Sequence, residues 1–389
     1  MSDLVEIHGI CDPRFARVKE IFAASFATGA DLGASVCVYW DGQPVVDLWA
    51  GFTDESRTTP WSKDSLVNVF STTKGMTALC ALRLVEEGRL DLDAPVARYW
   101  PEFAASGKES LPVRFLLNHQ AGLPAIAAVM EPEALYDWTA MVEALAAQEP
   151  WWVPGTQHGY HAISFGFLVG ELVRRITGRS LGTYFREEFA SPLGLDFHIG
   201  LPAEEEDRVV ALIEGPVHES EGPNLMEAIF AEPDGMLAKA FLNPPIDPMA
   251  VNERAWRAAE IPAANGHGTA ESLARIYSIL SLGGEHDGVH VLHPDVIERS
   301  RTEESYGLDA ILPLVSRFGV GFALPPAEEP TGPNPQAFGH AGMGGSYGQA
   351  DPEYRMGFGY TMNLMHTGSW LVDPRPRALL RGVYEAIDS

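Results

Sequence analysis

Apolar and polar positions along the chain predict strands near both ends and helices between them. Residues 13–28 have the pattern of an amphipathic helix, and Ala34–Trp40 and Val45–Phe52 are predicted strands joined by the hairpin signal Asp41-Gly42. From about 89 to 255 the pattern is mostly helical. Further predicted elements are strands at Phe318–Leu324, Phe338–Gly342, Ser346–Ala350 and Gly357–Met365, and a last helix from about Pro376 to Ile387.

This order of elements predicts an α/β (α+β) fold with two lobes. Residues 1–88 and 256–389 would form an antiparallel sheet flanked by helices, because strands occur at both ends of the chain. Residues 89–255 would form a mostly helical second lobe. We expect an active site in the cleft between the two lobes.

The helix predicted from Ser71 to Glu87 is apolar around most of its circumference, which is typical of a buried helix. It begins with Ser71-Thr72-Thr73-Lys74, the pattern S-x-x-K. Residues three apart lie on one helix face, so the hydroxyl of Ser71 and the amine of Lys74 can meet. A lysine buried beside the positive end of a helix has a lowered pKa and can act as a base. The alternative is an N-cap serine followed by a solvated lysine.

Two segments further along the chain, together with the S-x-x-K motif, form a recognisable set of motifs. The first is Pro154–Ala162, which contains Tyr160, and the second is the Gly-rich segment Phe338–Gly345. With Ser71-Thr72-Thr73-Lys74, they resemble, in this order, the superfamily of class C β-lactamases, penicillin-binding proteins and family VIII carboxylesterases. The resemblance covers roughly residues 30–385 and implies a β-lactamase/transpeptidase-like fold.

The resemblance assigns a role to each matching position. Ser71 matches the nucleophile, Lys74 its lysine, and Tyr160 the tyrosine that moves a proton between nucleophile and leaving group. His340-Ala341-Gly342 stands where β-lactamases have Lys-Thr-Gly and would contact substrate. The backbone N–H groups of Ser71 and Met343 would bind the oxyanion. Trp152, just before the tyrosine segment, is a further candidate for substrate binding.

Two departures from the β-lactamase pattern favour esters over penicillins. Tyr160-His161-Ala162 replaces Tyr-x-Asn, so the side-chain amide is absent, and His340 replaces a lysine that helps to hold the antibiotic's carboxylate. We expect a carboxylesterase that cleaves short-chain esters through an acyl-enzyme on Ser71. The alternatives are a β-lactamase, a D-amino-acid amidase or peptidase, or an acyltransferase on the same scaffold, and a catalytically silent binding or assembly protein.

A second serine motif competes with Ser71. Gly344-Gly345-Ser346-Tyr347-Gly348 fits G-x-S-x-G, the nucleophile elbow of α/β-hydrolases. That motif requires a strand–turn–helix context followed by an acid and a histidine. Only a predicted hairpin and one helix follow here, so we interpret the segment as a Gly-rich strand.

The composition of the chain limits the classes of molecule that it could bind. The net charge of -26 disfavours nucleic acid and anionic membrane surfaces, and leaves a small-molecule ester as the expected partner. The histidines and three cysteines show no metal-ligand spacing, and no nucleotide-binding fingerprint is present, so we expect neither metal nor cofactor. The sequence has no pattern of a signal peptide or a transmembrane span, which predicts a cytoplasmic enzyme. Assembly into a homo-oligomer stays open.

Overall fold

The computed structural model describes residues 5–217, 225–245, 247–286, 288–367 and 372–389. Its main sheet has six strands: β1 (Ile7–Cys11), β2 (Gly33–Trp40), β3 (Gln43–Gly51), β4 (Phe338–Ala341), β5 (Tyr347–Asp351) and β6 (Met356–Met362). Their order is β1-β3-β2-β6-β5-β4, and every neighbouring pair is antiparallel. Strands from both ends of the chain therefore meet in one sheet, as the sequence predicts.

The β2–β3 hairpin follows from its two turn residues. Asp41 and Gly42 both have positive φ angles, 49° and 76°, which is the backbone that a two-residue hairpin turn of this kind requires. Trp40 pairs with Gln43 directly across the turn. The Asp-Gly signal in the sequence is thus confirmed.

Five longer helices surround the sheet and the site: α1 (Ala16–Thr28), α2 (Thr73–Glu86), α3 (Ser164–Thr177), α4 (Ala270–Ser281) and α5 (Pro374–Asp388). Helix α4 packs directly on β6. Two glycines of β6 allow this close approach, since a β-carbon on Gly357 or Gly359 would collide with the backbone of α4. Helices α1 and α5 pack against each other, and α2 packs against α3.

Shorter elements connect these parts. The helical ones are Pro13–Phe15, Val96–Arg98, Pro101–Ala104, Arg114–Leu117, Pro132–Tyr136, Trp138–Ala147, Leu181–Phe185, Arg186–Ala190, Ser191–Leu193, Ala203–Arg208, Leu225–Ala231, Met236–Leu242, Pro248–Asn252, Arg254–Ala258 and Pro294–Arg301. The strands are Val67–Asn68, Phe197–His198, Ile213–Val217, His267–Gly268, Glu285–His286, Val289–His290, Ser305–Leu308, Val315–Phe318 and Leu364–Thr367. Residues 89–255 are accordingly mostly helical where described, while their separation as a lobe stays a prediction.

Two predicted strands were wrong in extent. The strand expected at Phe318–Leu324 is Val315–Phe318, and the chain then turns back, with Gly319 N donating to Phe322 O. The strand expected at Gly357–Met365 is interrupted at Asn363. The Asn363 side chain accepts a hydrogen bond from Gly33 N at 2.9 Å and donates one to Phe52 O at 3.0 Å, so it ties the interruption to β2 and the end of β3. Among the described residues, no helix is long and apolar enough to cross a membrane.

Candidate active site

Ser71 lies in a tight turn between the short strand Val67–Asn68 and helix α2. Phe70, immediately before it, has a φ of 43°, a left-handed backbone that costs energy for a bulky residue and recurs at functional sites. The helix itself begins at Thr73, two residues later than predicted. Lys74 N nevertheless donates to Ser71 O at 2.9 Å, so the serine belongs to the turn that leads into the helix.

Ser346 holds this turn from the other side. Its hydroxyl donates to Val69 O at 2.7 Å, and the Thr72 hydroxyl lies 3.0 Å away as the donor to Ser346 Oγ. A β-carbon on Gly342 would collide with Val69 O and Ser346 Oγ, so only glycine fits there. Ser346 is buried immediately before β5, which begins at Tyr347, one residue later than predicted. A strand and not a helix follows Ser346, so the nucleophile-elbow alternative is wrong, and Gly344 and Gly345 belong to the turn between β4 and β5.

The amine of Lys74 is completely buried and has three partners. Nζ lies 3.0 Å from Ser71 Oγ, 2.8 Å from Ala162 O and 2.9 Å from Ala263 O. Burial without a carboxylate partner lowers the pKa of Lys74 well below that of an ordinary lysine. The solvated-lysine alternative is therefore wrong, and two backbone carbonyls orient the amine.

The phenol of Tyr160 also faces Ser71. Its ring centroid is 4.8 Å from Lys74 Nζ. Burial raises the pKa of Tyr160, and a side-chain hydrogen bond with Ser71 opposes that shift. At neutral pH the phenol therefore keeps its proton in the resting site. Ser71, Lys74 and Tyr160, which lie far apart in the sequence, are thus brought together.

Asp309 positions Tyr160 and was missed by the sequence analysis. Its buried carboxylate accepts hydrogen bonds from Tyr160 N at 3.0 Å, Ile311 N at 2.8 Å, Leu312 N at 2.9 Å and the Ser316 hydroxyl at 2.7 Å. Four donors satisfy this buried charge. Asp309 belongs to no motif and precedes an apolar loop, so nothing in the pattern of residues marks it.

The two expected oxyanion donors come from two segments of the chain: Ser71 from the turn before α2, and Met343 from the turn between β4 and β5. Met343 follows Gly342, whose N–H donates to Ser346 O at 2.8 Å. Within the described part of the chain, neither Ser71 N nor Met343 N donates a hydrogen bond to another residue. Both residues line the same cavity, where a developing oxyanion could accept from these N–H groups.

His340 enters the cavity as a neutral group. Its Nδ1 lies 2.8 Å from Ala341 O, and because a carbonyl oxygen can only accept, Nδ1 carries the proton. Burial lowers the pKa of His340 to about 3. The buried Nε2 has no protein partner among the described residues. The cation that β-lactamases place here is therefore missing.

The cavity itself is small and mostly apolar, with a volume of about 130 Å³. Its lining includes Ser71, Tyr160, His340, Ala341, Gly342 and Met343, with apolar walls from Phe241, Leu312, Phe318, Leu324, Pro325 and Val372. Glu329 and Thr331 are further polar members. Trp152 is not part of this lining; it packs beneath the tyrosine segment against Gly159 and His161.

Clusters of possible metal ligands and buried thiols would be other sources of chemistry among the residues that the structure describes. Those residues contain no group of three or more His, Cys, Asp or Glu side chains placed to hold a metal ion. Cys37 and Cys80 are buried, and burial raises the pKa of both thiols, which keeps them protonated and unreactive.

Comparisons with known proteins place this geometry in a family. The profile of the Beta-lactamase family matches residues 18–381. The chain therefore belongs to the Beta-lactamase family, and it is a hydrolase of that superfamily.

Three individual proteins are similar to this chain over nearly its whole length. The Mycobacterium tuberculosis protein "Esterase/beta-lactamase LipL" is 37% identical over 388 residues, which cover 98% of this chain and 88% of that protein. The crystal structure of a family VIII carboxylesterase is 43% identical, with a TM-score of 0.90 over 98% of this chain and 100% of the other. A penicillin-binding protein homologue from Caulobacter crescentus is 40% identical, with a TM-score of 0.89 over the same shares.

Proposed function

We propose that the chain is a carboxylesterase that hydrolyses small neutral esters through an acyl-enzyme on Ser71. Ser71 Oγ attacks the ester carbonyl carbon while its proton passes to Lys74 Nζ. The N–H groups of Ser71 and Met343 bind the oxyanion, and Tyr160 hands its phenol proton to the departing alcohol while it takes up the proton held by Lys74. Water then attacks the acyl carbon and gives a proton to Lys74, which returns it to Ser71 Oγ as the acid leaves. One ester and one water thus give one acid and one alcohol, and the site is restored.

The observation that carries this proposal is the set of partners around Lys74. A neutral amine has two N–H donors and one lone pair. The carbonyls of Ala162 and Ala263 accept both donors. The lone pair is thereby left for the third neighbour, the Ser71 hydroxyl at 3.0 Å. The site thus favours the arrangement in which Lys74 accepts the serine's proton, provided that the amine is neutral, as its lowered pKa allows.

The substrate preference rests on the charges of the cavity. A penicillin carries a carboxylate that needs a cation, whereas the lining contains the carboxylate of Glu329, the neutral His340 and no lysine or arginine among its described members. A neutral ester needs only the nucleophile, the oxyanion donors and an apolar pocket. The similarity to a family VIII carboxylesterase agrees with this preference.

β-Lactam hydrolysis is the second candidate. One relative that matches 98% of this chain carries both activities in its name, as an esterase and a β-lactamase. The same Ser71, Lys74 and Tyr160 would serve both reactions, since each begins with attack on an acyl carbon. We expect β-lactam hydrolysis only as the weaker activity.

Replacement of the two competing serines tests the nucleophile. Ser71→Ala should reduce hydrolysis of p-nitrophenyl butyrate by at least about 10⁴-fold, as loss of a serine nucleophile does. Ser346→Ala removes only a support of the turn and should cost less than about tenfold. A fluorophosphonate probe should label wild type and Ser346→Ala on Ser71. Activity that survives in Ser71→Ala and is lost in Ser346→Ala would overturn the proposal.

A further inference from the structure

A buried ion cluster lies directly behind the loop that carries Met343. Arg375, in the first turn of α5, has a side chain that is 5% exposed. It lies 3.0 Å from Asp31 and 2.9 Å from Asp373, and Tyr360 OH donates to Asp31 at 2.6 Å. A guanidinium buried this deeply must have nearly all of its donors satisfied.

One arm of this guanidinium contacts the loop backbone. Arg375 Nη2 donates to Gly344 O at 2.6 Å, and Nη1 donates to Leu364 O at 2.9 Å. The Gly344 carbonyl accepts a second hydrogen bond, from His366 N at 3.1 Å. Two donors therefore fix the carbonyl of the residue that follows Met343.

The loop is also closed by two backbone hydrogen bonds of its own, from Gly342 N to Ser346 O at 2.8 Å and from Gly345 N to Gly342 O at 3.2 Å. Neither of these bonds involves the backbone of Met343 or Gly344. Gly344 and Gly345 have φ angles of 85° and 129°, a backbone that favours glycine and leaves the chain free to adopt other conformations. A β-carbon on Gly345 would collide with Arg375 Nη2, so the loop packs directly on the guanidinium. At the far end of the loop, Ser346 ties the chain to Val69.

We propose that Arg375 is a positioning residue, which holds the loop 342–346 so that Met343 N–H remains aimed at the oxyanion. The inference rests on the proposed function, in which Met343 N–H is an oxyanion donor. A misplacement of about 1 Å in a catalytic group can lower a rate by about 10²-fold, so the clamp affects the chemical step while leaving substrate binding largely intact.

Arg375→Lys tests this role because it keeps the positive charge between Asp31 and Asp373. One ammonium lacks the forked geometry that also reaches Gly344 O. We expect kcat to fall by about 10–100-fold and KM to change by less than about threefold. Affinity for a trifluoromethyl ketone, whose adduct with Ser71 places an oxyanion in the same site, should weaken by the same factor as kcat. Affinity for the product alcohol should not change.

Tyr360→Phe is the matched control, since it removes a hydrogen bond from the same cluster without contacting Gly344. It should lower thermal stability but change kcat by less than twofold. If Arg375→Lys does not fold, Asp373→Asn, which weakens the orientation of the guanidinium, should give a smaller loss of kcat and of ketone affinity in parallel.

Three results separate the inference from its premise. Equal kcat losses in Tyr360→Phe and in a folded Arg375→Lys would reduce Arg375 to a stabilising residue. Unchanged kcat and ketone affinity in folded Arg375→Lys, or in Asp373→Asn if the lysine variant does not fold, would overturn the inference alone. Failure of the fluorophosphonate to label Ser71 in wild type would overturn the proposed function.

Discussion

Lys74 and Lys108 are both fully buried, and each amine has three oxygen neighbours. The partners of Lys108 are the carbonyls of Ala105 at 2.8 Å, Ala146 at 3.0 Å and Gln148. Three acceptors that cannot donate require three N–H groups, which only the protonated amine has. Lys74 has two carbonyls and the hydroxyl of Ser71, and a hydroxyl can donate.

This difference in one partner makes Lys108 a structural lysine and allows Lys74 to act as a base. Burial lowers the pKa of both amines, and nearby Glu149 opposes the shift at Lys108. Lys108 keeps its proton because all three of its donors are used. Lys74 can give its proton up without leaving a carbonyl unpaired, and its lone pair then points at the nucleophile.

Removal of the Lys74 amine should therefore affect mainly kcat, and removal of the Lys108 amine mainly stability. Lys74→Met should lower kcat for p-nitrophenyl butyrate by about 10²–10⁴-fold, the usual contribution of a positioned base. Lys108→Met should change kcat by less than about threefold while lowering the free energy of unfolding by about 1–3 kcal/mol, because the buried carbonyl of Ala146 and the part-buried carbonyls of Ala105 and Gln148 lose their donor. Steady-state kinetics and urea unfolding of both variants provide the measurement. A similar loss of kcat in folded Lys108→Met would erase the distinction.

The variant Tyr160→Phe tests whether Lys74 acts alone in moving protons. Removing the phenol should lower kcat by about 10²–10³-fold, because the departing alcohol loses its proton donor. Its effect should be non-additive with that of Lys74→Met, since both groups serve one proton path. Kinetics of the two single variants and the double variant measure this coupling. Fully additive losses would place Tyr160 and Lys74 in separate steps.

The charge state of a buried side chain also matters at His340, which is neutral where β-lactamases have a lysine. We expect kcat/KM for p-nitrophenyl butyrate to exceed that for benzylpenicillin by at least about a hundredfold, since two charge-assisted or orienting contacts for the antibiotic are absent. His340→Lys restores a cation and should narrow this ratio by about tenfold. Both substrates are assayed with one preparation at neutral pH. Comparable kcat/KM values in wild type would place the β-lactamase alternative first.

The sequence was sufficient to bring the main reacting groups together. The spacing in Ser71-Thr72-Thr73-Lys74 predicts the contact between hydroxyl and amine, and the resemblance supplies Tyr160 and the Gly-rich strand. The main sheet was also predicted, because its strands have clear apolar patterns, although the edge strand Ile7–Cys11 was missed, since three of its five residues are exposed.

What the sequence could not supply are contacts through the backbone and through long loops. The carbonyls of Ala162 and Ala263 orient Lys74, and a carbonyl leaves no residue type to recognise. Asp309 supports Tyr160 from 149 residues away, in a loop without a motif. The predicted strand Phe318–Leu324 failed because its apolar residues continue through a turn. Gly321 allows this turn with a φ of 91°, and Gly319 allows it because a β-carbon there would collide with Ser300 O.

The protonation state of Lys74 is the central claim, and the pH dependence of Ser71 labelling tests it most directly. Since a protonated amine cannot accept the serine's proton, the second-order rate of fluorophosphonate labelling should rise with pH through the lowered pKa of Lys74. It should reach a plateau well below pH ~10.4, the pKa of an ordinary lysine. Lys108→Met should keep this profile, and Lys74→Met should lose it. A labelling rate that climbs through pH ~10.4 in wild type, or an unchanged profile in Lys74→Met, would contradict the account.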